Sequence, residues 1–206
     1  MKNLINQILF ITFLFVIPEV SFPQNEKVLE AFTQSYDFEK NSDYQQAISA
    51  LESVYANDSY EINIRLGWLY YKAGNYLKSQ DYYSNAINLM PYSIEPKLGH
   101  NLPASALNNW DNVIEMYKKI LEIDPQNTFV NYQLGNIYYE RKDYAAAYAY
   151  FEKVVNLYPF DYDSVLMFAW TNLQLGKLRE AKVLFGKTLL ISPSSQSALD
   201  GMKLVK

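Results

Sequence analysis

The sequence predicts an all-α solenoid, a right-handed α-α superhelix of stacked helix pairs ended by a short C-terminal capping helix. Three observations carry this prediction. Pro91, Pro125, Pro159 and Pro193 recur at intervals of 34 residues. Tyr76, Trp110, Tyr144 and Leu178 keep the same register, preceded by Asn75, Asn109, Asp143 and Lys177, and Tyr83, Tyr117, Phe151 and Phe185 form a further column. Each period also holds two stretches with apolar residues at helical spacing, separated by a short polar turn and ended by the proline. Two helices of about a dozen residues bury only one face each, so neighbouring pairs must stack before a core can close.

Taken in order, residues 1–24 stand apart. Lys2 leads into the apolar run Ile8–Ile17, which the breaker Pro18 ends. This is the layout of a secretory signal peptide, with removal expected near 22–25. An uncleaved N-terminal anchor is the alternative, although the run is shorter than the ~20 residues a membrane span needs. Export would place the chain in the periplasm or at the surface of a bacterium. Removal takes away Lys2 and Glu19 together, so the net charge stays at −4.

Five units follow: 28–59, 60–93, 94–127, 128–161 and 162–195. The first is the loosest, held in register by Asp43-Tyr44 and by Ala47 and Leu51. The second and fourth share Leu-Gly, at Leu66-Gly67 and Leu134-Gly135, each followed by a tyrosine, Tyr70 or Tyr138. The third is degenerate. Its first half, PKLGHNLPASALNNW, puts His100 and Asn101 where other units carry Leu-Gly. Ser93 is expected to cap its first helix and Pro96 to sit in the first turn, where a missing N–H costs little. Pro103 falls mid-helix, where a kink or break is expected. His100, the single histidine, reads as part of this irregularity rather than as a catalytic group. In the tail 196–206, Ala198, Met202 and Val205 share one helical face, as a capping helix requires.

These residues resemble the tetratricopeptide repeat. The family pattern W-x2-L-G-x2-Y…A-x3-F…P is found as N-x2-L-G-x2-Y at 63–70 and 131–138, and its second half as Ala147-x3-Phe151…Pro159 and Ala181-x3-Phe185…Pro193. The family's tryptophan is replaced at the fourth position by Ala31, Asn63, Lys97, Asn131 and Val165. The resemblance implies that the first helix of each unit lines a concave groove. Mapped onto this chain, the groove positions give Phe32, Tyr36, Ile64, Trp68, Tyr71, Tyr132, Asn136, Tyr139 and Trp170 as the partner-binding residues. Large aromatics offer contact area with little side-chain entropy to lose, which suits an extended or helical peptide. The Lys and Asn pair of the family's clamp for C-terminal carboxylates is missing from every unit.

No basic run exists to neutralise phosphates, so nucleic acid is not an expected partner. Without cysteine, thiol catalysis and zinc–thiolate sites are excluded. One histidine cannot build a histidine-rich metal site, and no catalytic or nucleotide-binding motif is present. Asp161 and Asp163 fall at a junction between units, where capping or solvation explains them better than acid–base chemistry. The expectation is therefore a non-catalytic interaction scaffold of the bacterial envelope, without metal or cofactor. Its groove would hold a peptide or protein segment, or a glycan or cell-wall fragment stacked on Trp68 and Trp170.

Overall fold

A computed structural model describes residues 22–205; the expected signal peptide lies almost wholly outside them. Among the described residues there are eleven α-helices and no strand. None of these helices is long and apolar enough to cross a membrane. The chain divides into two compact units, Met1–Val54 and Tyr55–Lys206. The first contains α1 (Phe22–Lys40) and α2 (Tyr44–Glu52), packed through Ala31, Ser35, Ala47, Ile48 and Leu51. The second is an array of nine helices. These are α3 (Tyr60–Lys72), α4 (Tyr76–Leu89), α5 (Glu95–Ala106), α6 (Trp110–Ile123) and α7 (Thr128–Glu140), then α8 (Tyr144–Leu157), α9 (Tyr162–Gln174), α10 (Leu178–Ile191) and α11 (Gln196–Leu204). Within this array each helix packs on its successor in the chain, which is the arrangement of an α-solenoid.

The periodic columns explain where the helices begin and end. Asn75, Asn109 and Asp143 each accept a hydrogen bond from the backbone N–H three residues on, at 3.3, 3.3 and 3.0 Å, and so cap α4, α6 and α8. The residue before each cap takes a left-handed conformation: Gly74, Asn108, Lys142 and Gly176 have φ of 78°, 56°, 62° and 73°. That geometry reverses the chain and lets the cap's own N–H reach back to the end of the preceding helix, as from Asn75 to the Tyr70 carbonyl at 2.9 Å. Pro91, Pro125, Pro159 and Pro193 directly follow the C-caps of α4, α6, α8 and α10. A residue preceding proline is biased away from helical backbone, so the second helix stops there.

Packing between pairs depends on the ring column. Tyr83, Phe151 and Phe185 are buried. Tyr83 lies between glycines on the two flanking helices, Gly67 of α3 and Gly99 of α5, while Phe151 sits against Gly135 and Phe185 against Gly201 of α11. The glycines let helix backbone approach the ring faces where any side chain would intrude.

The residues that replace the family's tryptophan have a task of their own. Asn63 donates to the carbonyls of Asn57 and Ser59 at 3.2 and 2.7 Å, and Asn131 to those of Pro125 and Asn127 at 3.2 and 2.9 Å. The Lys97 ammonium reaches the carbonyls of Pro91 and Ser93 in the same way. In all three units a buried side chain ties the connecting turn six and four residues upstream to the first helix. Val165 fills the corresponding place in the last pair without such a tie.

Two expectations for the third pair are corrected. Ser93 does not cap α5: the N-cap is Ile94, with no side-chain bond, and the Ser93 hydroxyl instead pairs with the Tyr60 hydroxyl at 2.8 Å. Of the kink or break expected at Pro103, no break occurs, since α5 continues through it to Ala106. The ring sits in the last turns, where one missing N–H is the main loss, and it is buried against the core. His100 and Asn101 are buried as well, the latter donating to the Val113 carbonyl at 3.3 Å.

Candidate partner-binding face

Within the first unit, Phe32 is half-buried and Tyr36 half-exposed, both on α1. The other seven residues belong to the second unit and lie at equivalent register positions of α3, α7 and α9. Ile64, Trp68, Tyr71, Tyr132, Asn136, Tyr139 and Trp170 are all half-buried. Each shows part of its surface while the remainder packs on its own array.

On α3 the Trp68 and Tyr71 rings lie 5.9 Å apart, and Tyr71 continues to Tyr76 of α4 at 5.9 Å. The Lys72 ammonium sits 5.5 Å from the Trp68 ring centre, a cation–π contact. The fourth pair repeats only the second ring contact, with Tyr139 against Tyr144 at 5.3 Å. Tyr132 meets Phe151 edge-on at 5.8 Å. Burial raises the phenol pKa of both Tyr132 and Tyr139 above the usual value. For Tyr132, Asn136 opposes that shift by hydrogen bonding, and the carboxylates of Asp163 and Asp161 add to it. Both tyrosines are neutral hydroxyls at ordinary pH.

Trp170 differs from Trp68, although the sequence treats them alike. Its indole N–H donates to the Ser197 hydroxyl at 2.9 Å, and its ring meets Phe185 edge-on at 5.1 Å. Trp170 thereby joins the apolar cluster that seats α11 on the last pair. The reason is positional: α11 stacks on α9 and uses up the indole's donor. Trp170 therefore takes part in packing α11 while part of its surface stays exposed.

Two clefts open beside these residues. One, of about 350 Å³, is lined by Thr128, Phe129, Tyr132, Val154, Tyr158, Asp161, Asp163 and Ser164. The other, of about 370 Å³, is lined by Trp110, Gln133, Asn136, Ile137, Glu140 and Arg141. Arg141, the C-cap of α7, also pairs with Asp111 in the first turn of α6 at 2.9 Å. Sequence reasoning passed over Tyr158 and Trp110 as cleft residues. Tyr158 precedes a proline at a helix end and Trp110 follows a cap, so both columns read as punctuation. Among the described residues no group of His, Asp and Glu is arranged to hold a metal ion.

The helix pairs, their caps and their ring-on-glycine packing define an α-solenoid whose exposed aromatic side chains recur with the repeat. Residues 32–91 match the tetratricopeptide repeat family model, and residues 106–188 match the model described as anaphase-promoting complex, cyclosome, subunit 3. The chain is built of tetratricopeptide repeats. No curated protein matches it. Among solved structures, the crystal structure of MamA protein is similar with a TM-score of 0.70 at 17% identity, covering 82% of this chain and 93% of that one. A tetratricopeptide repeat protein from Parabacteroides merdae gives a TM-score of 0.72 at 18% identity, covering 87% and 72%. At these identities the likeness is one of fold. Tetratricopeptide repeat proteins are in general non-catalytic adaptors that bind other proteins, and the family matches suggest an interaction scaffold here.

Proposed function

We propose that this chain is an exported scaffold of the bacterial cell envelope that holds a peptide or protein segment along the aromatic face of its first helices. The observation that supports this most is the set of part-exposed rings on the same face of α3 and α7, Trp68 and Tyr71 on one and Tyr132 and Tyr139 on the other, with Tyr71 and Tyr139 at equivalent positions of the repeat. Side chains needed only for packing would be covered, as Tyr83 and Phe151 are. Rings that keep an open face contribute apolar contact to a partner at small entropic cost.

Crosslinking in the host envelope, with and without Trp68→Ala plus Tyr71→Ala, tests the reading. The double variant should lose a defined partner while keeping its helical circular dichroism, and fractionation should find the protein outside the cytoplasm. Unchanged partners in the variant, or a cytoplasmic protein, would overturn the proposal. A second reading, binding of a glycan or cell-wall fragment, draws support from the cleft at Trp110, where an indole lies beside Gln133, Asn136 and Glu140. It would prevail if soluble glycans quenched tryptophan fluorescence and no protein partner crosslinked.

A further inference from the structure

The junction between α8 and α9 exposes more ring surface than packing requires. Tyr158 is 57% exposed, and Phe129 at the start of α7 is 53% exposed. Together with Tyr132 they wall the cleft of about 350 Å³, a size at the lower end of ligand pockets and suited to one side chain. Two carboxylates stand at the same cleft. Asp161 gives one oxygen to the Ser164 N–H at 2.9 Å and so caps α9, whereas Asp163 lies exposed in the first turn. Among the described residues neither pairs with a lysine or arginine, and none lines the cleft. The α9 N-terminus supplies about half a positive charge. Two carboxylates exceed that, so the cleft is net negative. Both also act on the Tyr132 phenol, which places their field at the cleft wall.

The same sign recurs along the face. Glu61, Glu95 and Asp163 hold the first turns of α3, α5 and α9, and at the equivalent place of α7 stands Phe129. We propose that the cleft formed by Phe129, Tyr132, Tyr158, Asp161 and Asp163 receives a lysine or arginine side chain of a basic peptide segment bound on this face. The rings would hold the cation by its aliphatic stem and through their π faces. Asp163 would supply the countercharge. An apolar side chain would bury that carboxylate without a partner, and an acidic one would be repelled. This inference rests on the interaction reading above and specifies the partner's chemistry.

Selection of peptides from a random library on the purified protein, followed by fluorescence anisotropy of the best binder, tests it. Selected peptides should share a lysine or arginine at one fixed position. Asp163→Asn and Phe129→Ser alter exposed side chains, so both variants should fold, which their circular dichroism and melting curves verify. Asp163→Asn should weaken the selected peptide about five-fold or more at low salt, and the loss should shrink at high salt. Replacing the peptide's arginine by citrulline (or its lysine by norleucine) should weaken binding to the wild type and abolish the sensitivity to Asp163→Asn. A neutral consensus, or affinity indifferent to both variants, overturns the inference and leaves the scaffold reading standing. If no peptide is selected, the peptide-groove reading falls and this inference with it.

Discussion

Alanine at Gly99 and alanine at Gly186 should move stability in opposite directions. A Cβ added at Gly99 would come within 2.6 Å of Tyr83 Cζ and 2.8 Å of its Cδ1, and nearer still to Cε1. The ring cannot retreat. It is 3% exposed, and on its other side a Cβ at Gly67 would already stand 3.0 Å away. The backbone of α5 would have to move instead. Overpacking of this kind costs about 1–3 kcal/mol, and a ring held on both sides points to the upper end. Alanine regains about 1 kcal/mol over glycine in a helix interior, so the net loss is about 2 kcal/mol. Gly186 has no atom within 4 Å of its added Cβ and lies inside α10, so only the propensity gain of about 1 kcal/mol remains. In a domain of this size 1 kcal/mol shifts Tm by about 2–4 °C. Melting followed by far-UV circular dichroism should therefore show a fall of about 6 °C for Gly99→Ala and a rise of about 3 °C for Gly186→Ala. Urea titrations at unchanged m should agree. A neutral or stabilising Gly99→Ala would refute the close approach of α5 to Tyr83, and with it the packing described for the column.

Two further outcomes follow from buried polar groups. Asn131→Ala removes the tie to the carbonyls of Pro125 and Asn127, and should cost about 1–3 kcal/mol in chemical denaturation; a change within experimental error would show that the turn holds without it. Burial, with Lys119 adding to it and Glu115 opposing it, holds the His100 pKa below its ordinary 6.5. The unfolded chain then binds the proton first, so stability should decline as pH falls from 6.5 toward the folded-state pKa. His100→Gln should flatten that part of the curve, and an identical pH dependence in the variant would contradict the assignment.

The fold class was legible because each column of the 34-residue period performs a local mechanical task. Proline stops a helix, Asn or Asp caps the next, and a ring fills the space against glycine; these tasks depend on near neighbours and leave their mark at fixed spacing. The ties made by Asn63, Lys97 and Asn131 were not legible. A polar residue in place of tryptophan reads as decay of the pattern, and its reason lies in carbonyls six and four residues upstream that only the folded turn presents. Ser93 misled for a related cause: as a cap it needs only its neighbours, but the structure gives it Tyr60, 33 residues away. On the candidate face, register places Trp68 and Trp170 equivalently. What distinguishes them is a neighbour, because α11 supplies Ser197 to one indole. Periodicity identifies the face and cannot reveal which rings a terminal helix will cover.

The degenerate third pair takes on a different meaning in this light. Where α3 and α7 carry Tyr71 and Tyr139, α5 carries Ser105, and Leu102 stands where α3 has Trp68. The backbone here is nevertheless regular: α5 is continuous, Lys97 ties its turn as Asn63 and Asn131 tie theirs, and Gly99 receives Tyr83. This pair has the residues that hold the array together but lacks the rings of the face. The second unit thus presents two aromatic stations, Trp68–Tyr71–Tyr76 and Phe129–Tyr132–Tyr139, separated by smaller side chains. A segment long enough to reach both gains from the second contact at high effective concentration, so neither station needs to bind tightly alone. On the interaction reading proposed above, the third pair acts as a spacer of continuous helix between the two stations, and a face so divided favours extended partners over compact ones.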